Sequence, residues 1–294
     1  MIHRGRFAPS PTGPLHFGSL VAALGSWLFA RAQHGRWFVR IEDLDPPREV
    51  PGAARDILAT LAAFGLHSDE TEWYQSARTS AYDAAFAQLE SAGTVFPCWC
   101  SRSDLESNGG IHRWPCIART RSDRPPAWRL RVPDLIITFD DLLLGPQRQN
   151  LREIVGDFVI KRVEGWYAYQ FAVVVDDAAQ AITQIVRGAD LLDSTPRQIY
   201  LQRLLRYPTP AYAHLPLVLD AAGRKLSKQD RARAVDRDDP LPALRGALQF
   251  LGFAADENAS SVARLLQSAL RDFDLARIKK MAAMPPRGAM DMAS

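Results

Sequence analysis

Cysteine is scarce in this chain: three residues in 294, all between positions 98 and 116. A scaffold stapled by disulfides is thereby excluded, and the three read as thiols or metal ligands. No apolar run reaches the length of a membrane span, and residues 1–14 lack the apolar core of a signal peptide, so a cytoplasmic location is expected. A Walker-type loop, a dinucleotide fingerprint and a zincin helix are all missing, as are internal repeats and low-complexity blocks. Charge of one sign is not in excess either. The 36 Lys and Arg against 33 Asp and Glu leave +3, which permits a nucleic-acid partner without predicting one. Arginines bunch at 119–131 and basic residues at 224–237, and each group taken singly reads as a solvated face.

The chain exceeds one small core and reads as one large or two to three small domains. Leu20, Leu24, Trp27, Leu28 and Arg31 recur at helical spacing, with Gly35 as the stop. A strand is predicted over 37–41, then helices over 52–64 and 77–92, an α/β opening with a parallel sheet. From Val95 the texture changes, with short strands expected at 129–132 and 136–139. Apolar α/β texture returns at 169–175 and 181–186, followed by a helix over 195–205. A strand over 214–219 ends in the turn Asp220-Ala221-Ala222-Gly223. Helices follow over 241–251 and 260–269, with a frayed tail after Pro285. The expected division is 1–96 and 166–239 as two halves of a catalytic domain, 97–165 as an insertion, and 240–294 as a helical segment.

The stretch Arg6-Phe7-Ala8-Pro9-Ser10-Pro11-Thr12-Gly13-Pro14-Leu15-His16-Phe17-Gly18-Ser19 organises the rest. Three prolines hold φ near one value, and Gly13 and Gly18 remove side chains where a backbone can approach a ligand. A rigid turn from a strand into a helix N-terminus suits a phosphate chain. Some two hundred residues later comes Lys225-Leu226-Ser227-Lys228. An imidazole at the helix start and two lysines from the far side can together stabilise charge on an α-phosphate, about 3–4 kcal/mol per well-placed donor. Singly, His16 reads as an ordinary helix-start histidine and the lysines as surface charge; jointly they do not.

These two stretches resemble the first and second signatures of class I aminoacyl-tRNA synthetases. Arg6-Phe7-Ala8, Arg40-Ile41-Glu42-Asp43 and Ile185-Val186-Arg187-Gly188-Ala189-Asp190 narrow the likeness to the glutamyl branch, over roughly the first 240 residues in consistent order. Ser19 stands where many class I enzymes have a second histidine. The resemblance implies a Rossmann-like parallel sheet, with His16, Lys225 and Lys228 catalytic. It implies an ATP site of Pro9, Thr12, Gly13, His16, Gly18, Ser19 and Lys228, with Mg²⁺ accompanying the nucleotide.

A γ-carboxylate is best told from an amide by guanidiniums, which only donate. Arg6 and Arg187 look like that pair, with the Tyr169 hydroxyl as a third donor. Glu42 is the matching position for the substrate ammonium, with Ser10 nearby and Phe7, Ala8 and Pro9 shaping the pocket for L-glutamate. Asp43 and Asp45 read as strand-end and capping residues, and His3, His34, His67 and His214 as structural. Cys98, Cys100, His112 and Cys116 make four soft ligands, a tight knuckle plus a pair at helical-turn spacing, suited to structural Zn²⁺. A truncated glutamyl synthetase-like family carries such a knuckle in its insertion.

Full glutamyl synthetases continue into a domain that reads the anticodon, and none is expected in 240–294. The resemblance therefore implies a stand-alone catalytic core, a monomer that activates glutamate without tRNA. The acceptor it implies is the queuosine base of the tRNA(Asp) anticodon, a splayed loop base of the kind proteins read in RNA. Three alternatives stay open: a short synthetase charging a tRNA 3′ end, a catalytically silent RNA- or nucleotide-binding paralogue, and a nucleotidyltransferase.

Overall fold

A computed structural model describes residues 2–219 and 234–282; Lys225 and Lys228 lie outside the described residues. The chain opens with strand β1 (Arg4–Phe7), helix α1 (Phe17–Ala32), β2 (Arg36–Ile41), α2 (Ala53–Ala63), the short β3 (Trp73–Tyr74) and α3 (Thr79–Ser91). Then come β4 (Val95–Cys98), the single turn α4 (Arg102–Leu105), β5 (Ala127–Leu130), β6 (Ile136–Asp141), β7 (Gly145–Asn150), the single turn α5 (Leu151–Ile154) and β8 (Phe158–Lys161). The last part is α6 (Tyr169–Ala179), β9 (Gln184–Gly188), α7 (Thr195–Leu205), β10 (Ala211–Leu215), α8 (Pro240–Phe250), α9 (Val262–Arg271) and α10 (Leu275–Ala282).

Strands β1, β2 and β3 pair in parallel, as do β9 and β10. The two sets meet at β1 and β9, where the Thr183 N–H donates to Arg4 O at 3.0 Å and the Arg4 N–H to Thr183 Oγ1 at 2.9 Å. Both faces of this sheet are covered, so its strands carry apolar residues in succession rather than in alternation. Trp37, Val39, Val186 and Ala213 enter the core under α1, α2, α8 and α9, while Phe38, Ile185 and Tyr212 enter the one under α3, α6 and α7. A Rossmann-like α/β layer structure results.

Helix α1 is buried on nearly every side, Leu20 to Ala30 being almost continuously enclosed. It lies between the sheet and α8–α9, the burial expected of a helix apolar all round. Contact with β10 is close at Gly25, where a Cβ would sit 2.5 Å from Leu215 Cδ1.

Between the two halves, β4, β5 and β8 form a small antiparallel sheet. The β6–β7 hairpin instead joins the main sheet edge, with Tyr212 of β10 opposite Asp141 and the Leu142 N–H donating to Tyr212 O at 2.8 Å. Among the described residues no helix is long and apolar enough to cross a membrane.

Several expected boundaries move. The left-handed residue ending α1 is His34, at φ 52°, not Gly35; glycine is needed at 35 because a Cβ would lie 2.6 Å from His3 O. The apolar α/β texture at 169–175 resolves as helix α6, whose N-cap Ala168 accepts the N–H groups of Phe171 and Ala172 at 3.0 and 3.1 Å. The strand expected over 214–219 starts at Ala211 and stops at Leu215, since Pro216 has no N–H for a ladder. Helix α10 was not foreseen; its eight residues are too short to show a decisive period.

Candidate active site

The chain leaves β1 through α1 toward β2, and leaves β9 through α7 toward β10, on opposite sides of the seam where β1 and β9 touch. Such a switch point opens a crevice at the carboxyl ends of the strands. A cavity of about 560 Å³ lies there, reached by Arg6 to Ser10 at and beyond the end of β1, Glu42 after β2, Tyr169 at the start of α6, Arg187 on β9 and Leu215 to Val218 at and beyond the end of β10.

The β1–α1 turn is pinned from outside. Pro9 O accepts the Glu42 N–H and Pro11 O the Val50 N–H, both at 2.9 Å, while Gly13 takes φ 137°, a conformation that favours glycine. His16 is the N-cap of α1, its Nδ1 accepting the Ser19 N–H at 3.3 Å. The Ser19 hydroxyl lies 3.0 Å from His16 Nε2, so this serine sets the ring in place. Gly18 allows the ring to lie over the helix start, since a Cβ there would sit 3.3 Å from His16 Cε1. Thr12, His16, Gly18 and Ser19 line the cavity and present the positive end of a buried helix to it; Gly13 shapes the turn without lining it. Ala234 pairs with His16, and the Val235 N–H donates to Leu15 O at 3.0 Å.

Deeper in, two arginines keep different company. Arg6 is gripped by Asp177, Nε to Oδ1 at 3.0 Å and Nη2 to Oδ2 at 3.2 Å. Arg187 donates to His214 Nε2 (3.2 Å), Tyr169 Oη (3.3 Å), Leu191 O (3.3 Å) and Thr195 Oγ1 (2.8 Å). None of these acceptors carries charge, and among the described residues no carboxylate pairs with Arg187. A buried guanidinium held by neutral acceptors is complementary to a carboxylate brought by a ligand.

Glu42 sits behind the turn, 3.4 Å from Arg40 Nη2. Burial pushes its carboxyl up to about 7 against the pull of Arg40 and Arg6, with Asp177 and Asp176 adding repulsion. Asp177, although buried, stays below the usual carboxylate range because Arg6 and Arg40 flank it. A ligand ammonium beside Glu42 restores the ionised form.

Sequence reasoning missed the layer beneath. Arg40, fully buried, binds Asp177 (2.9 Å) and Gln180 Oε1 (2.7 Å), while Asp176 accepts from Gln75 (2.9 Å), Arg78 (2.9 Å) and Tyr82 (2.7 Å). The signal was present as two adjacent acids ending the apolar run Val173-Val174-Val175. Arg48, which the sequence does not single out, also lines the cavity, as does Asp190 at the end of the Ile185–Asp190 motif. His214, read as structural, stands directly behind Arg187.

The cysteine window folds at the end of β4. The donor atoms of Cys98, Cys100, His112 and Cys116 all lie within 4.8 Å of one another, a group that can hold a metal ion. His112 and Cys116 come from an irregular loop, not a helical turn. The fit to a cation is carried by His112: Nδ1 is 2.9 Å from Asp157 Oδ2, whereas buried Nε2 has no hydrogen-bond partner among the described residues. Such an arrangement fixes the ring for a ligand at Nε2. The sulfurs crowd one another: burial and the charges of Cys98 and Cys100 push the Cys116 thiol up to about 12, a repulsion that a divalent cation relieves.

The family model described as tRNA synthetases class I (E and Q), catalytic domain, matches residues 3–125 and 115–268. The chain is 60% identical over 266 residues to a glutamyl-Q tRNA(Asp) synthetase of Burkholderia cenocepacia, covering 86% of this chain and 89% of that protein. It is 54% identical over 292 residues to the protein of the same name from Xanthomonas campestris pv. campestris, covering 98% and 97%. Among solved structures, a glutamate tRNA ligase of Elizabethkingia meningosepticum in complex with its amino acid superposes with TM-score 0.79 at 26% identity, over 95% of this chain and 66% of that one. A glutamate-tRNA synthetase of Elizabethkingia anophelis gives 0.82 at 26%, over 99% and 69%. The chain thus spans about two thirds of those two longer proteins.

Proposed function

The chain belongs to the class I tRNA synthetases for glutamate and glutamine, and from that membership we propose that it activates L-glutamate with ATP and passes the glutamyl group to queuosine in tRNA(Asp). One observation carries the choice of amino acid: Arg187, buried at the head of the cavity, holds four neutral acceptors and no carboxylate among the described residues. An acidic side chain completes it, and an amide leaves a donor facing a donor. The names of the relatives at 54–60% identity support queuosine as the acceptor.

In this reading the γ-carboxylate meets Arg187, Tyr169 and the remaining edge of Arg6, and the ammonium lies against Glu42 with Ser10 nearby. The α-carboxylate is already ionised, so its attack needs no base. Its oxygen bonds to the α-phosphorus as the bond to the bridging oxygen breaks and pyrophosphate leaves. Alignment and fixed donors then supply the rate: Thr12, His16, Gly18 and Ser19 at the α1 start, with Lys225 and Lys228 assigned as further donors by the resemblance of their segment. A hydroxyl of the queuosine diol next bonds to the acyl carbon as the bond from that carbon to the phosphate oxygen breaks, and AMP leaves with the hydroxyl proton taken up on its phosphate. Mg²⁺ would accompany the nucleotide phosphates. Cys98, Cys100, His112 and Cys116 would hold Zn²⁺, which supplies a structural crosslink at a closed four-ligand site.

The remaining assignments belong to the same proposal: a monomer working in the cytoplasm, with 1–96 and 166–239 as the catalytic halves, 97–165 as the insertion and 240–294 as the helical segment. Glutamate-dependent ATP–pyrophosphate exchange without tRNA tests the first step. Transfer of labelled glutamate to tRNA(Asp) with and without queuosine tests the second. Transfer that ignores queuosine, or that goes to the 3′ end of tRNA(Glu), overturns the acceptor; absence of exchange overturns the activity.

A further inference from the structure

His214 of β10 is wholly buried and ends a chain of contacts that starts outside the pocket. Asp141, the last residue of β6, points its Oδ2 at His214 Nδ1 from 2.6 Å. Its Oδ1 accepts the N–H groups of Leu143 (3.0 Å), Leu144 (3.0 Å) and His214 (3.2 Å). The carboxylate is thereby locked on all sides.

On the far edge of the ring, Nε2 lies 3.2 Å from Arg187 Nε and 3.2 Å from Thr195 Oγ1. A guanidinium N–H only donates, so Nε2 must be the unprotonated nitrogen. The proton then resides on Nδ1 and is given to Asp141. Burial and the neighbouring Arg187 charge both hold the ring neutral, below the ordinary histidine range.

The consequence lies in what does not touch Arg187. A carboxylate in the place of this imidazole would orient the guanidinium equally well and would also neutralise it. The ring passes on orientation without passing on charge, and Asp141 stays one residue back. Arg6 shows the alternative, since its two bonds to Asp177 leave it largely compensated.

We infer that Asp141 and His214 are positioning residues that hold Arg187 oriented yet uncompensated, and so set the preference for an acidic over an amide side chain. This rests on the glutamate reading of the cavity. It also assigns a task to the β6–β7 hairpin, whose attachment to β10 delivers the Asp141 carboxylate.

The test is ATP–pyrophosphate exchange with glutamate and with glutamine, comparing the wild-type chain with His214→Phe, His214→Gln and Asp141→Asn. Phenylalanine keeps the ring shape and removes the acceptor; glutamine places a carbonyl near the position of Nε2. Asparagine at 141 can donate to Nδ1 and turn the Nε2–H toward Arg187. His214→Phe and Asp141→Asn are expected to raise KM for glutamate about 10- to 100-fold, the range for a lost hydrogen bond to a charged group. KM for ATP and kcat should move by less than about threefold, the signature of lost uniform binding. The glutamate-to-glutamine ratio should fall with glutamate KM, and His214→Gln should recover most of both. Thermal melting identifies any variant that fails to fold; should His214→Phe be one, Asp141→Asn against wild type carries the comparison. Unchanged glutamate KM and selectivity in the folded variants, or a His214→Gln no better than His214→Phe, overturns the inference alone. A wild-type chain that exchanges with some other amino acid and not with glutamate overturns the reading beneath it as well.

Discussion

Arg6 and Arg187 face one cavity, but Asp177 holds Arg6 through two hydrogen bonds while Arg187 rests on uncharged acceptors. Two arginines that look equivalent along the chain are therefore unequal in charge balance. The inequality separates the consequences of losing either one.

Arg187→Met should raise KM for glutamate by about 100-fold or more while costing little stability, because no charge is stranded when the guanidinium goes. Arg6→Met should instead leave buried Asp177 with Arg40 as its remaining partner, a loss of about 3 kcal/mol by the measure of broken buried pairs. Chemical denaturation and glutamate KM, measured on both variants, separate the two roles. Equal stability losses would contradict the assignment.

Glu42 gives a pH dependence whose sign is fixed. Its folded value of about 7 lies above the ordinary 4.5, so between those values the folded chain keeps a proton that the unfolded chain has released. Stability of the unliganded protein therefore falls as pH rises from about 4.5 to 7, by at most about 3 kcal/mol. Glu42→Gln should be more stable than wild type at pH 8 and match it near pH 4.5. Glutamate binding runs the opposite way, weakening below about pH 7 in wild type as the carboxylate takes up its proton. Calorimetric titration of glutamate at pH 6 and 8, beside melting curves for both proteins, checks each sign.

One zinc per chain is expected, removable by chelation with a drop in melting temperature. Asp157→Asn, which touches no sulfur, should lower zinc affinity by about 10- to 100-fold through the freed His112 ring. Metal analysis after competition with a chromophoric chelator reads this directly. Zinc content unaffected by Cys98→Ser would remove the cluster from consideration.

Gly25→Ala probes the contact that seats α1. The added methyl meets Leu215 Cδ1 at 2.5 Å inside a filled core, and overpacking of this kind costs about 1–3 kcal/mol. Urea unfolding measures it, and a neutral result would mean that α1 and β10 can part without strain.

Legibility along the chain followed the range of the interaction. Helix α7 matches the expected bounds 195–205, because its start at Thr195 with a proline in the first turn and the end of its apolar run at Leu205 are both local signals. The Leu20 to Ala32 helix was equally plain, and the β1–α1 turn announced itself through fixed φ values at its prolines. The strand after His214 was placed three residues late, since a short strand is defined by its partners and not by its own period. Cys98, Cys100, His112 and Cys116 could be grouped from the sequence because soft donors cluster there, and their donor atoms do lie together, whereas Asp157 carries no such signal because its role depends on β8 lying beside the loop.

By itself the sequence determined the α/β alternation, the phosphate-suited helix start, the guanidinium and carboxylate candidates, and the likeness to the glutamyl branch. Each of these is written in residue types at short spacing, where backbone sterics and side-chain chemistry act on near neighbours. Only the tertiary structure decided which arginine is already neutralised, that His214 backs Arg187, and that Glu42 is buried deeply enough to hold its proton. Charge compensation and desolvation depend on groups brought together from positions as distant as 6 and 177 or 141 and 214, and no local pattern encodes such a meeting.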